Sequence, residues 1–220
     1  MRKSKAIFIT ATDTHVGKTI AAFVLGVLYQ AKGTHVGVLK PVQCGGDDAE
    51  FLKKNLNLSA DLTSINPVFV KEPLSPHLAL RRAGRAFDLK IIKDAYRQLQ
   101  ERHDLVLIEG AGGLMVPLKH NFYNADLVKA LNAELIIVSR LGLGTINHTI
   151  LTINQAKAQG LKIKGILFSD SNPRSKNIAE QTNPDEIKRL TGVKILGIIP
   201  YLKNKTRKEV LKLCKTIHVD

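Results

Sequence analysis

Seven short runs of Val, Ile, Leu and Phe, most of them separated by stretches with helical spacing, constrain this chain more than any other feature. They lie at residues 6–10, 35–39, 67–70, 105–109, 135–139, 163–168 and 195–199. Between them, apolar residues recur at helical intervals over 17–32, 88–101 and 145–159. In the second of these, Leu89, Ile92, Tyr96 and Leu99 share one face. A strand that is apolar on both sides must be covered on both sides, and such strands alternating with helices pack as a parallel sheet between helical layers. The expectation is an α/β fold, one domain over residues 1–220, with a seven-stranded parallel sheet and helices on both faces. Ligands of such sheets bind outside the carboxyl ends of the strands.

After the first run the chain reads Thr10-Ala11-Thr12-Asp13-Thr14-His15-Val16-Gly17-Lys18-Thr19 and then enters a helical stretch at Ile20-Ala21-Ala22. A strand that turns through Gly-Lys-Thr into a helix aims backbone N–H groups and a helix N-terminus at one point, which suits a polyphosphate. Lys18 would reach the terminal phosphates and the Thr19 hydroxyl would ligate Mg²⁺. Thr12 stands where the usual phosphate-loop pattern has Gly, so a plain strand-to-helix turn with Gly17 in a packing role is the competing reading.

Two further loops fall on the same edge. The second run ends in Lys40-Pro41-Val42-Gln43-Cys44-Gly45-Gly46, and the fourth in Glu109-Gly110-Ala111-Gly112-Gly113. An acid after four apolar residues, followed by glycines that admit a ligand close to the backbone, resembles the magnesium-side strand of phosphate-loop proteins. A solvated loop charge is the alternative for Glu109. Asp47-Asp48 precedes an amphipathic segment with Leu52 and Leu56, and either carboxylate could cap it; Asp48 would also lie near the Lys40 loop.

Composition narrows the class. No apolar stretch nears the roughly 20 residues that span a bilayer, and the first five residues lead into a strand rather than a signal peptide, so a cytoplasmic location is expected. Two cysteines, Cys44 and Cys214, argue against a disulfide framework, and no zinc-ligand spacing occurs. A net charge of +14 raises nucleic acid as a partner. The lysines, however, are spread over helices, and without Trp there is no stacking platform, so a solvated basic surface with neither nucleic acid nor membrane bound is the reading.

Thr-Asp-Thr-x-Val-Gly-Lys-Thr, Lys-Pro-Val-x-x-Gly and Glu-Gly-Ala-Gly-Gly, in that order, resemble the dethiobiotin synthetase family. The similarity continues through Asn66-Pro67, Glu72-Pro73-Leu74-Ser75-Pro76-His77, Leu143-Gly144-Thr145-Ile146-Asn147-His148 and Ile198-Ile199-Pro200-Tyr201. The resemblance implies a P-loop enzyme that joins CO₂ to 7,8-diaminononanoate with ATP and Mg²⁺, through a carbamate and its phosphoric anhydride. It implies Lys40 and Lys18 as catalytic residues and Thr19, Asp48 and Glu109 as metal ligands. The nucleotide would lie against His15, Val16, Gly17, Lys18, Thr19 and Ile20, against Asp48, Glu109, Gly110, Ala111 and Gly112, and against Ser169, Asp170, Pro200, Tyr201 and Leu202. Thr14, Lys40 and Cys44 match substrate contacts, as do Leu143, Gly144 and Asn147, which in the family reach the substrate from the partner subunit of a homodimer.

The chain departs from the family at four places. His15 replaces a glutamate of some members, Cys44 a hydroxyl residue, and Ser169-Asp170 the Asn-Asp that reads adenine, while Arg207 falls near an expected acidic nucleotide contact. These leave the chemistry intact and the base preference open, with Asn172 or residues 200–202 as other sources of selectivity. The runner-up class is a partition or cell-division ATPase acting on DNA or membrane, which the net charge favours, but its phosphate loop carries a second lysine that this chain lacks. A glutamine-dependent cobyrinate amidase would need an additional domain for which 220 residues leave no room.

Overall fold

The computed structural model describes residues 4–170 and 176–219. In chain order the elements begin with β1 (Lys5–Ala11), α1 (Lys18–Ala31), β2 (Val36–Leu39), β3 (Val42–Cys44), α2 (Asp48–Asn55), α3 (Leu62–Ile65) and β4 (Val68–Val70). They continue with α4 (Pro76–Arg82), α5 (Leu89–Arg102), β5 (Leu105–Gly113), β6 (Pro117–Lys119), β7 (Phe122–Tyr123) and α6 (Asn124–Ala130). The last are β8 (Glu134–Arg140), α7 (Thr145–Ala158), β9 (Ile163–Ser169), α8 (Ile178–Thr191), β10 (Ile195–Ile199) and α9 (Arg207–Leu211).

The central sheet is parallel, with strand order β10-β9-β8-β1-β5-β2. Among the described residues it has six strands rather than the expected seven. All seven apolar runs are strands, but the run at 67–70 is β4, which pairs with β3 in a separate two-stranded sheet (Val42 opposite Val68). The chain leaves the central sheet at Lys40-Pro41: the Lys40 N–H turns to the Ile65 carbonyl (2.7 Å), and Pro41 has no N–H to continue a ladder.

Side chains alternate across each strand, and this sorts the core into two layers. Ile7, Ile9, Leu107, Ile136 and Val138 face α1, whose Phe23, Val24, Val27 and Leu28 are buried against them. Phe8, Val106, Ile108, Ile137 and Phe168 face the other way, toward Ile92, Tyr96 and Leu99 of α5 and toward Leu127 and Val128 of α6. The amphipathic pattern of α5 is thus explained by one buried face, and Asp88 caps its start by accepting from the Lys90 N–H (2.8 Å).

Candidate active site

The ladders bring the chemistry together. β5 lies between β1 and β2, with Ile9 opposite Glu109 and Leu39 opposite Ile108, so the residue after β2, Lys40, comes level with Glu109 at the carboxyl edge. β1 feeds the loop 12–17 and then α1. Gly17, the residue before the helix, has φ 98° and no side-chain cap, so the first N–H groups of α1 keep their donors for a ligand. A side chain at Gly17 would be strained by that φ and would also collide with the Ser169 hydroxyl of β9. His15 too is held in the left-handed region, at φ 58°.

Four side chains meet where these elements end. Lys40 Nζ donates to Asp48 Oδ2 (2.6 Å) and to Glu109 Oε1 (2.6 Å). The Thr19 hydroxyl lies 3.0 Å from Asp48 Oδ1 and 2.9 Å from Glu109 Oε1. Glu109 is 1 % exposed and Lys40 3 %, so the pair is removed from water. Lys18 is buried as well, and its Nζ donates to the Asp13 carbonyl at 3.4 Å.

Burial opposes the charge on Lys40, but the carboxylates of Glu109 and Asp48 outweigh it and the ammonium pKa ends above its usual value. For Asp48, burial pushes upward and Lys40 pulls downward more strongly, assisted by the Thr19 hydrogen bond, so its pKa falls below the usual carboxylate value. Lys18 is pulled down, by burial first and against the attraction of Glu109, with Lys40 adding repulsion. Burial raises the Cys44 thiol against the opposing charge of Lys40, so it sits as a neutral group rather than a thiolate nucleophile.

A cleft of about 730 Å³ opens over this cluster. It is lined by Thr14, His15, Gly17, Lys18, Thr19 and Ile20 from the first loop, and by Lys40, Cys44 and Asp48 from the second. Glu109, Ala111 and Gly112 line it from the third. Val16 and Gly110 stand behind that lining: Val16 is in the core, and Gly110 lies so close to the Phe8 ring that a Cβ there would approach it to 2.6 Å.

The remaining expected contacts lie outside the cleft. Ser169 ends β9 behind Gly17, and the Asp170 N–H donates to the Ile199 carbonyl (2.9 Å), which brings Pro200, Tyr201 and Leu202 alongside. Asn172 is outside the described residues. Arg207 donates to Gln30 Oε1 (2.6 Å) near the far end of α1. At a rise of about 1.5 Å per residue that is roughly 18 Å along the helix from Lys18. Leu143 (88 % exposed), Gly144 and Asn147 face solvent at the start of α7.

The cleft also uses residues that sequence reasoning gave no role. Pro73, Leu74, Ser75 and Pro76 form one wall, and Gln43, Gly45, Gly46 and Val116 contribute. Gln43 ties its own loop together, donating to the Gly46 carbonyl (2.9 Å) and accepting from the Ala49 N–H (3.0 Å). Pro73–Pro76 belong to a stretch that carried the family resemblance, but none of these residue types announces chemistry.

The donor set fits a magnesium ion. Thr19 Oγ1, one oxygen of Asp48 and one of Glu109 converge, and Glu109 Oε2 is buried with no hydrogen-bond partner among the described residues, an acceptor left for a cation. Two carboxylates and a hydroxyl make a hard-oxygen set of the kind Mg²⁺ completes with water and phosphate.

Solved structures similar in fold include a ParA family ATPase from Chlorobium tepidum TLS (TM-score 0.58, 16 % identity, 97 % of this chain and 93 % of that one). Another is the septum site-determining protein MinD complexed with Mg-ADP from Pyrococcus horikoshii OT3 (TM-score 0.58, 16 % identity, 96 % and 95 %). At these identities they speak for the fold alone. A family profile described as an AAA domain matches residues 5–209. Curated relatives named ATP-dependent dethiobiotin synthetase BioD include that of Bacillus cereus, 40 % identical over 94 % of this chain and 88 % of the relative. Those of Bacillus subtilis (38 %, 96 % and 94 %) and Methanococcus vannielii (38 %, 88 % and 92 %) are similar over comparable lengths. With 38–40 % identity over 88–96 % of its length, the chain belongs to the dethiobiotin synthetase family.

Proposed function

We propose that this chain is an ATP-dependent cyclo-ligase that closes the ureido ring of dethiobiotin from 7,8-diaminononanoate and CO₂. The observation that carries the reading is the cluster of Lys40, Thr19, Asp48 and Glu109 beneath a helix N-terminus, at a cleft of about 730 Å³. One amine of the diamine adds to CO₂ and loses a proton, giving a carbamate. A carbamate oxygen attacks the γ-phosphorus of ATP as ADP leaves, and the second amine then displaces phosphate from the carbonyl carbon. Phosphoryl transfer of this kind asks the protein for alignment and positive charge rather than for a covalent partner.

Each residue has work in that sequence. Lys18 and the N–H groups at the start of α1 hold the phosphates, and Lys40 offsets the negative charge spread over carbamate and γ-phosphate as they meet. Thr19, Asp48 and Glu109 would hold Mg²⁺, which supplies charge neutralisation at the phosphates when bound. Thr14 and Cys44 line the diamine side. Leu143, Gly144 and Asn147, exposed at the start of α7, are assigned to the substrate carboxylate of the partner in a homodimer. Residues 1–220 act as one unit, in the cytoplasm.

The test is the dependence of phosphate release. With ATP and Mg²⁺ present, release is expected only when diamine and bicarbonate are supplied together, because the carbamate is the phosphoryl acceptor. Hydrolysis stimulated by DNA and indifferent to the diamine would establish a partition-type ATPase instead.

Base selectivity is expected to be weak. Ser169 offers one hydroxyl and the Asp170 carboxylate offers acceptors, so the donor-plus-acceptor match of an asparagine to adenine is missing. Sites reject a wrong base mainly through polar groups left unpaired. Dethiobiotin formation with CTP or GTP should reach a kcat/KM within roughly two orders of magnitude of that with ATP. A preference above a thousandfold would place the selectivity in other contacts.

A further inference from the structure

Two buried asparagines have no part in the steps above, yet each is tied to a loop that carries them. Asn66, the residue after α3, donates from Nδ2 to the carbonyl of Lys40 (2.7 Å) and to that of Val68 (3.2 Å). The Lys40 N–H goes to Ile65, so both backbone polar groups of the lysine end on residues 65 and 66. Pro41 completes the restraint by excluding helical backbone at the residue before it. Asn124, the first residue of α6, donates from Nδ2 to the carbonyls of Ala111 (2.7 Å) and Gly113 (2.8 Å). It is 1 % exposed, and it does not line the cleft.

In all four bonds the partner is a carbonyl, which only accepts. Each amide must therefore present its NH₂ group, and the orientation of both side chains follows from the chemistry of their neighbours. The two carbonyls held by Asn124 flank Gly112, whose backbone borders the cleft. Engaged by a buried donor, their negative ends are kept off the space where phosphates would sit. The carbonyl held by Asn66 is that of the lysine itself, and a rotation of that peptide would swing Nζ away from the carboxylates.

We propose that Asn66 and Asn124 are positioning residues for phosphoryl transfer: Asn66 aims Lys40, and Asn124 holds the glycine-rich loop in its anion-accepting form. The Asn66 half rests on the reaction proposed above, whereas the Asn124 half needs only that the cleft binds a nucleotide.

Asn66→Asp and Asn124→Asp keep size and shape but replace the donors with acceptors. Asn124→Asp is expected to weaken binding of a fluorescent, non-hydrolysable ATP analogue by about 10- to 100-fold. Asn66→Asp is expected to lower kcat for dethiobiotin by a similar factor while the analogue Kd stays within about twofold of wild type. Thermal unfolding and the folded fraction are measured alongside. Should the aspartate variants not fold, Asn66→Ser and Asn124→Ser, with one donor for two acceptors, carry the same split at smaller size. Folded variants that lose rate only in proportion to folded protein, or that show the same kinetic profile at both positions, overturn the proposal. Wild-type protein that binds the analogue but forms no dethiobiotin sinks the reaction of the preceding section instead.

Discussion

Lys40→Met is expected to lower kcat for dethiobiotin formation by a factor on the order of 10²–10³, the usual loss when one preorganised charge-stabilising group is removed from a buried site. The methionine keeps most of the volume, so the change isolates the ammonium. Lys40 is fixed at both ends, with its backbone bonded to residues 65 and 66 and its Nζ on Asp48 and Glu109. Nucleotide affinity should change little, because Lys18 and the start of α1 are assigned to the phosphates. Lys18→Met is expected to do the reverse and raise the nucleotide Kd. Single-turnover rates and equilibrium nucleotide binding on both variants separate the two lysines, and near-normal turnover in Lys40→Met would remove it from the chemistry.

The second large effect is expected at Glu109. Glu109→Gln retains the shape but removes one of the two carboxylates paired with the buried Lys40 ammonium among the described residues, leaving Asp48. Breaking a buried ion pair from one side costs about 3–5 kcal/mol. Thermal unfolding should report this at about 2–4 °C per kcal/mol for a chain of this size. The Mg²⁺ concentration for half-maximal rate should rise by about 10- to 100-fold, as for a lost ligand or its immediate support. Asp47→Asn is the control: Asp47 precedes α2 and its side chain makes no capping bond, so neither quantity should move much. An equal shift at Asp47 would move the metal assignment by one residue.

The directions of the pKa shifts set the pH range of these comparisons. Lys40 is raised, so its contribution to stability is complete below the ordinary lysine value and is lost only as pH rises through the higher folded value. Asp48 is lowered, so its contribution is complete above the ordinary carboxylate value and fades as pH falls through the lower folded one. Between those limits both groups stay ionised. A rate change near neutrality therefore belongs to other groups, such as the substrate amines.

Much of the candidate site was legible because its residues follow strand ends. Gly17-Lys18-Thr19, Lys40 and Glu109 each come directly after an apolar run or its turn, and a parallel sheet puts all such ends on one edge. From the local pattern either Asp47 or Asp48 could cap the helix, and Asp48 was singled out by its nearness to the Lys40 loop and by the family resemblance; in the structure Asp48 is the one that accepts from Lys40. The extra strands β3, β6 and β7 are two or three residues long, too short to show a period. The cleft wall at Pro73–Pro76 and the asparagines behind the loops were invisible as chemistry, because their roles depend on what surrounds them.

By itself, the sequence determined the layered α/β fold and the phosphate loop, since apolar periodicity and a Gly-Lys-Thr turn are local properties of the chain. Strand order and register were decided only by the tertiary structure. β5 sits between β1 and β2, and that brings Lys40 beside Glu109 across 69 residues of sequence. The same packing sent the third apolar run, residues 67–70, out of the sheet to pair with β3, because the turn at Lys40-Pro41 had already carried the chain away from the central ladder.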